Sequence, residues 1–498
     1  MPIDFSLIFP ELLIVFSFFL ILLLLVFFNT TKLRWLGYFC LLMIITAIII
    51  TFLFRDNAGI VTDNFLEVNE VSNFFRYIFL FSGAGLFISL IVFKMERPEI
   101  YALILISIFG AMSIGISSNL LSLLMFLEIV TISSYFISVL KLWERSWISY
   151  LRYVILSITS FFLLIYLISL IFGVFGSLSL DVNIKNIDID KLNILSIIVY
   201  IVIMVIMSIR LSLFPFHLLF PSLAKESGFF TTLFFSILVI PVNSLALKKI
   251  LDIAGRLEFN SPIFDDFLAI LILVFITIIF LNIGIIYQRN IWKFLAFSSV
   301  VQICFISIDY YLFPPLEGLG DITPFLLIYL ISTSALIIGL ETYRKYKLKT
   351  NWVDFLEDIK GSVNVAPVLT FLLSVILISL IGIPGTAGFL IKYSFIRFIN
   401  VNIEIKGITG FVISISAFLI INFLIALYYY GRVILSMWSK PKKDIYHKSK
   451  EVKLNLFKED FLYILSLAFI ILCSVIILTL GIYGIINPTL YKILLPLF

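Results

Sequence analysis

Apolar runs of about twenty residues follow one another from end to end of this chain, and they leave few folds open to it. A helix rises 1.5 Å per residue, so about 20 mostly apolar residues cross a bilayer. Fourteen such runs can be read, at about 7–28, 35–54, 77–93, 101–118, 120–140, 147–172, 192–220, 229–247, 267–287, 291–313, 324–341, 366–396, 408–437 and 462–486. Backbone in lipid must satisfy its own hydrogen bonds, and runs this long do so as helices. The expected fold is therefore an all-α membrane protein of about 14 transmembrane helices. Composition agrees, with only 13% of the 498 residues charged against about 25% in soluble domains. No Arg/Ser-rich presequence precedes "FPELL", so the first run is expected to be a retained span.

Several chemistries are excluded. Cys40, Cys304 and Cys473 are scattered through apolar runs, with no CxxC and no histidine nearby, which fits neither zinc nor iron–sulfur. "GAGLFI" at 83–88 lacks the third glycine of a dinucleotide fingerprint. Redox and nucleotide chemistry are not encoded here.

Lys and Arg set the orientation. They favour one side by about two to one, the side of the loop holding Lys32 and Arg34. Both termini are expected on the opposite side. Two basic-side loops stand out. "NWVDFLEDIKG" (351–361) places Trp352, Phe355, Leu356 and Ile359 at helical spacing, as an interfacial helix would. Residues 439–460 carry seven lysines and His447, as a solvated or lipid-headgroup tether would.

Two spans contain breaks. "SIRLSLFPFHLL" (208–219) has Pro215 inside span seven, and "LIGIPGTAGFLIK" (380–392) has Pro384 and three glycines inside span twelve. Proline removes a donor and clashes with the preceding turn, so each helix should stop there. Spans seven and twelve are five apart. If spans 4–8 and 9–13 are two copies of one five-helix unit, each break falls on the fourth helix. An odd number of crossings inverts the second copy, which is the inverted-repeat plan of ion-coupled transporters. The expected organisation is residues 1–100 for three N-terminal helices, 101–250 for repeat one, 265–438 for repeat two, and 439–498 for the basic loop and last helix.

Charges inside the runs are the candidate site. Glu128 lies eight residues into span five, about 12 Å deep at ~1.5 Å per residue. A carboxylate there costs at least ~2.5 kcal/mol unless protonated, paired or hydrated. Arg152 in span six is shallow enough to snorkel. Arg210 and Lys392 flank the two breaks, where freed carbonyls and water can solvate a cation. His217 follows Pro215 by two residues, as a proton relay or an interfacial histidine. Lys293 heads span ten, with Ser298, Ser299 and Gln302 deeper and Asp309 near the far end. Acid and base alternating across spans at similar depth is what a proton wire of side chains and water requires.

The motifs "RLSLFPFH", "LIGIPGTAGFLIKY", "RNIWKFLAFSSVVQ", "RYVILSITS" and "LLMFLEI" resemble those of the antiporter-like proton-pumping subunits of respiratory complex I, the group that includes NADH dehydrogenase subunit 2 of mitochondria and subunit N of bacteria. The likeness runs over about residues 100–440, with "PEL" near the start also fitting. It implies fourteen helices with two inverted five-helix repeats, and both termini on the positive side. It implies proton translocation coupled to electron transfer from NADH to ubiquinone, with NADH, FMN, iron–sulfur clusters and ubiquinone on other subunits and no cofactor or metal here. Implied partners are other membrane-arm subunits, including antiporter-like neighbours, and lipids such as cardiolipin, with no nucleic acid. The mitochondrial inner membrane is expected, basic loops in the matrix; a bacterial inner membrane is the alternative.

Carried over by position, Glu128 stands at the family's acid of span five and Lys392 at its lysine of span twelve. Arg152 and Arg210 replace the lysines of spans six and seven. The lysine of span eight would fall near Ile240, where there is none. Arginine is effectively never deprotonated, so the resemblance leaves the first half-channel as a charge switch or an impaired path, while Lys392 keeps a titratable function. The alternatives are an Mrp-type cation/proton antiporter subunit and a structural complex I subunit with a degenerate channel.

Overall fold

The computed structural model describes residues 5–27, 35–55, 59–62, 65–94, 97–142, 147–180, 189–256, 264–312, 323–348, 356–389, 392, 409–440 and 460–486. The chain is nearly all helical: α1 Phe9–Phe27, α2 Leu36–Leu53, α3 Glu70–Phe93, α4 Pro98–Ile116, α5 Leu120–Leu142, α6 Ile148–Phe175, α7 Ile189–Arg210, α8 Leu219–Ser227, α9 Phe229–Phe234, α10 Ile240–Arg256, α11 Phe264–Tyr287, α12 Ile291–Leu312, α13 Thr323–Thr342, α14 Pro367–Ile381, α15 Thr409–Trp438 and α16 Asp460–Ile486. Among the described residues twelve helices are long and apolar enough to cross a membrane, and Ile198–Arg210 and Pro367–Ile381 are shorter apolar helices. Those two lie in the runs that prolines were expected to break.

Contacts group the chain into two units: Met1–Phe280 with Val300–Gly320, and Leu281–Ser299 with Asp321–Leu497. In the first, α4 packs on α5, α3 and α1, and α6 on α7. In the second, α13 and α14 pack on each other and on α16, and α14 also meets α15. The span Phe229–Leu251 is buried along nearly all its length, whereas α1, α2, α6, α15 and α16 turn most of their apolar surface outward, as lipid-facing helices do. Gly110 lets α4 approach α5 closely: a Cβ there would stand 3.0 Å from Phe126 O and 2.9 Å from Val130 Cγ2. Small residues permit this contact between membrane helices, and it fixes the part of α5 that carries Glu128.

Three features differ from the sequence expectation. α3 begins at Glu70 rather than 77, because the Asn69 side chain accepts from Ser72 N and Ser72 returns the bond in a capping box. The added turns bury Arg76, which reads in sequence as a loop cation; it forks onto Glu11, Nε to Oε1 at 2.6 Å and Nη2 to Oε2 at 3.0 Å. Asn73 Oδ1 and Leu7 O accept its remaining bonds. Glu11→Gln leaves that cation without its counter-charge, and a loss of about 3–5 kcal/mol is expected, measurable as earlier thermal unfolding in detergent.

The second feature is a short hairpin, β1 Gly59–Thr62 with β2 Leu66–Val68. Val61 and Val68 pack with Leu7 and Ile116, and Phe65 O accepts from Ser118 N and from the Ser122 hydroxyl. The hairpin therefore pins the α4–α5 turn. The third is a π-helical segment, Phe235–Val239, between α9 and α10. Pro241 follows it and supplies no N–H to the turn before, so the helix widens locally instead of breaking. In the predicted interfacial helix, Leu356–Ile359 forms a 3-10 turn with Ile359 buried, and residues 351–355 lie outside the described residues. So do 441–459 with His447, and the Asp309 side chain.

Candidate functional site

Both breaks are built the same way. α7 ends with Ser212 at φ +55°, Ser212 N on Ile209 O and Leu213 N on Ser208 O. α14 ends with Gly382 at φ +90° and both Gly382 N and Ile383 N on Ile378 O. A left-handed residue that folds the chain back onto the last carbonyls, with proline soon after, is how helices close when they cannot continue. The freed groups find partners. Phe214 N donates to Thr277 Oγ1 at 2.9 Å, Phe220 N to Ser212 Oγ at 3.3 Å, and Asn243 Nδ2 to Arg210 O at 3.2 Å.

Arg210 is the last residue of α7. Its guanidinium contacts the Glu128 carboxylate through Nη2 and donates through Nη1 to Thr131 Oγ1 at 2.7 Å. The two side chains are 3% and 14% exposed, Arg210 first, so the pair sits in a low-dielectric setting where each charge depends on the other. Thr131, one turn after Glu128, donates onward to Leu127 O. Behind the pair, Tyr153, Ser157, Ser212 and Asn243 join Thr131 and Arg210 around a small polar space. Tyr153 hydrogen-bonds Ser134 at 2.7 Å.

The other predicted residues are placed elsewhere. Arg152, next to Tyr153, is on the outward face of α6 and exposed; the structure does not bring it to Glu128. His217 lies in an aromatic stack, 5.9 Å from the Phe214 ring and 5.5 Å from Phe280. Near Ile240 the polar group that faces the break is Asn243. Lys249, farther along α10, donates to Ile114, Gly115 and Ser117 carbonyls, each at 2.8 Å, and so caps α4.

In the second unit, Lys392 reaches back across its own break. Its ammonium donates to Leu380 O and Ile381 O, each at 2.9 Å, at the C-terminal end of α14. Gly382 makes room for it: a Cβ there would meet Lys392 Cδ at 2.9 Å. Gly388 brings the returning chain against α14, where a Cβ would stand 1.9 Å from Ser379 O. Gly481 of α16 packs on the break as well, its would-be Cβ 2.6 Å from Gly385 O. Because the obstacle at Gly388 is backbone, Gly388→Ala is expected to cost at least about 3 kcal/mol, the upper end of overpacking, seen as loss of the chain from its assembled complex on native gels.

The Lys293 ammonium lies 5.6 Å from the centre of the Phe297 ring, while its backbone N donates to Asn290 Oδ1 at 3.0 Å. Ser298 hydrogen-bonds Tyr430 of α15, and Ser299 and Gln302 are buried. Arg432, also on α15, donates to Ile286 O at 2.8 Å and to Gln288 O, capping α11. Sequence reasoning missed Thr131, Tyr153, Asn243 and Tyr430, neutral groups whose presence in an apolar run raises no alarm. It also missed Glu341, which is buried in α13 and paired with Arg344; its acid at the end of span eleven was the available signal.

Residues 117–420, more than half the chain, match the family described as "NADH:quinone oxidoreductase/Mrp antiporter, TM". The chain belongs to that family. Family relatives include NADH-quinone oxidoreductase subunit N of Protochlamydia amoebophila, 27% identical over 403 residues, covering 78% of this chain and 79% of the relative. Subunit N of Bartonella bacilliformis is 26% identical over 465 residues, covering 90% and 91%. Among solved structures, a chain of respiratory complex I from Thermus thermophilus superposes with TM-score 0.74 at 19% identity, covering 98% of both chains. A chain of the Mrp complex from Dietzia sp. gives TM-score 0.75 at 15% identity, covering 98% and 96%. At these identities the structural likeness speaks for the fold, which is the antiporter-like fold of the family.

Proposed function

We propose that the chain is a membrane-arm subunit of respiratory complex I that takes part in proton translocation coupled to electron transfer from NADH to ubiquinone. The observation that carries this reading is the largely buried Glu128–Arg210 pair seated at a helix break. The subunit N relatives, which match along most of their length, support it. Glu128 is the group that takes and gives the proton; Arg210, always charged, sets how readily it does so. Protonation of Glu128 removes Arg210's counter-charge, and that imbalance is the switch. Lys392, seated on carbonyls it can leave, is the titratable cation of the second break. His217 and Lys293 line the approaches, and Arg152 on the outer face of α6 would meet a neighbouring subunit.

The two-repeat organisation, 101–250 and 265–438, is supported by features that recur in register. Each proposed repeat has a three-residue turn between its first two helices, 117–119 and 288–290, whose last residue is an asparagine that caps the next helix. Each has a broken fourth helix, and each has a cation from its fifth helix on the last carbonyls of its first. Residues 1–100 precede the repeats and 439–498 follow them.

NADH, FMN, iron–sulfur clusters and ubiquinone belong to other subunits under this reading, with neighbouring antiporter-like subunits and lipids such as cardiolipin around the chain. The basic loops face the matrix, or the cytoplasm in a bacterial inner membrane, and both termini face the opposite side. The likeness to the Mrp chain favours one second reading, a cation/proton antiporter subunit. Purification through a tag on this chain separates the two. Co-purification with a flavin- and iron–sulfur-containing, NADH-oxidising complex is expected, with no transport by the isolated chain; cation/proton exchange without such partners would overturn the complex I reading.

A further inference from the structure

The polar side of the space behind the Glu128–Arg210 pair comes from Thr131 of α5, Tyr153 and Ser157 of α6, Arg210 and Ser212 at the end of α7, and Asn243 of α10, and apolar side chains, Phe220 and Phe235 among them, line the rest. About 10 Å³ of it is open to the centre of a water molecule, room for about one water. Arg210 has a further donor here. Its side chain is 3% exposed, Nη1 and Nη2 are bonded to Thr131 and Glu128, and Nε is buried with no partner among the described residues. A buried guanidinium N–H left unmatched is costly, more so than a neutral donor. Around the space stand a tyrosine hydroxyl, serine hydroxyls and an amide, each able to accept or donate. A water with two to four such partners is a stable part of a fold.

We infer that this space is a single-water site that seats Arg210, the water accepting from Arg210 Nε and donating to Tyr153, Ser157 or Asn243. Tyr153 and Asn243 are thereby positioning residues for the proton-transfer pair. Their effect runs through the arginine: when Glu128 takes up a proton, the guanidinium loses its anionic partner and keeps Thr131 and the water. From Phe229 to Leu247 no side chain is ionisable, so polar continuity from Arg210 into α10 runs through neutral groups. The inference rests on the reading of Glu128 and Arg210 as the proton-transfer pair.

The test uses the assembled complex. A map sharp enough to show internal waters should contain one within hydrogen-bond reach of Arg210 Nε and of Tyr153, Ser157 or Asn243. Its absence from a map that shows other internal waters overturns the site. Asn243→Leu and Ser157→Ala should remove that water, shift the infrared C=O band of the Glu128 carboxyl, and lower NADH-driven pumping severalfold; that band is the one lost in Glu128→Gln. Asn243→Ser should restore band and pumping. If Asn243→Leu loses the water while band and pumping stay as in the parent, the positioning role is wrong though the pair's role stands. If Glu128→Gln itself pumps normally, the underlying reading is what has failed.

Discussion

Glu128→Gln is expected to lower NADH-driven proton pumping by about tenfold or more, within the ~10²-fold or greater contribution of a well-placed proton-transfer group. Glutamine keeps the volume and an oxygen that can accept from Arg210, so the chain should still assemble. What it removes is the charge and the exchangeable proton. Glu128 and Arg210 are largely withdrawn from solvent, and a buried cation whose anion has gone is held by hydrogen bonds alone. The companion change, Arg210→Lys, should keep pumping or improve it, because an ammonium can release a proton and a guanidinium effectively cannot. Both are read by a pH-sensitive dye in vesicles containing the reconstituted complex. Unchanged pumping in Glu128→Gln would remove Glu128 from the mechanism, and lost pumping in Arg210→Lys would contradict the role given to Arg210.

Lys392→Met is expected to be comparably damaging for a different reason. The ammonium holds two carbonyls at the open end of α14, where helix dipole and unpaired acceptors favour a cation. Hydrogen bonds of charged groups contribute about 1.5–3 kcal/mol each, so methionine should weaken the second break as well as stop transfer there. Lys392→Arg separates the two effects. Arginine can reach and cap the same carbonyls but holds its proton, so thermal stability should return and pumping should not. Full recovery of pumping in Lys392→Arg would make the residue a structural cap and nothing more.

The two breaks show how far sequence reaches. Pro215 and Pro384 announce themselves because proline in a long apolar helix removes a donor, whatever the surroundings. Glu128, Arg210 and Lys392 are equally legible, since an ion in lipid is too costly to be incidental. Their partners are another matter. Arg210 meets a residue 82 positions earlier, and Lys392 turns back on carbonyls of its own span; neither pairing has a local signature. Arg76 misleads for the same reason. A cation near the start of an apolar run looks solvated until Glu11, 65 residues away, is brought against it.

What the chain determined unaided is its solvent and its secondary structure: lipid, many helices and two interruptions, because these follow from per-residue transfer energies and from the chemistry of proline. Only packing decided which charges are neutralised by which, that Arg152 faces out while Tyr153 faces in, and that Asn243 stands beside Arg210. Those outcomes depend on helix rotation and close approach, such as Gly110 permits between α4 and α5. Hydroxyls and amides carry too small a penalty in an apolar run to reveal themselves before their neighbours are known.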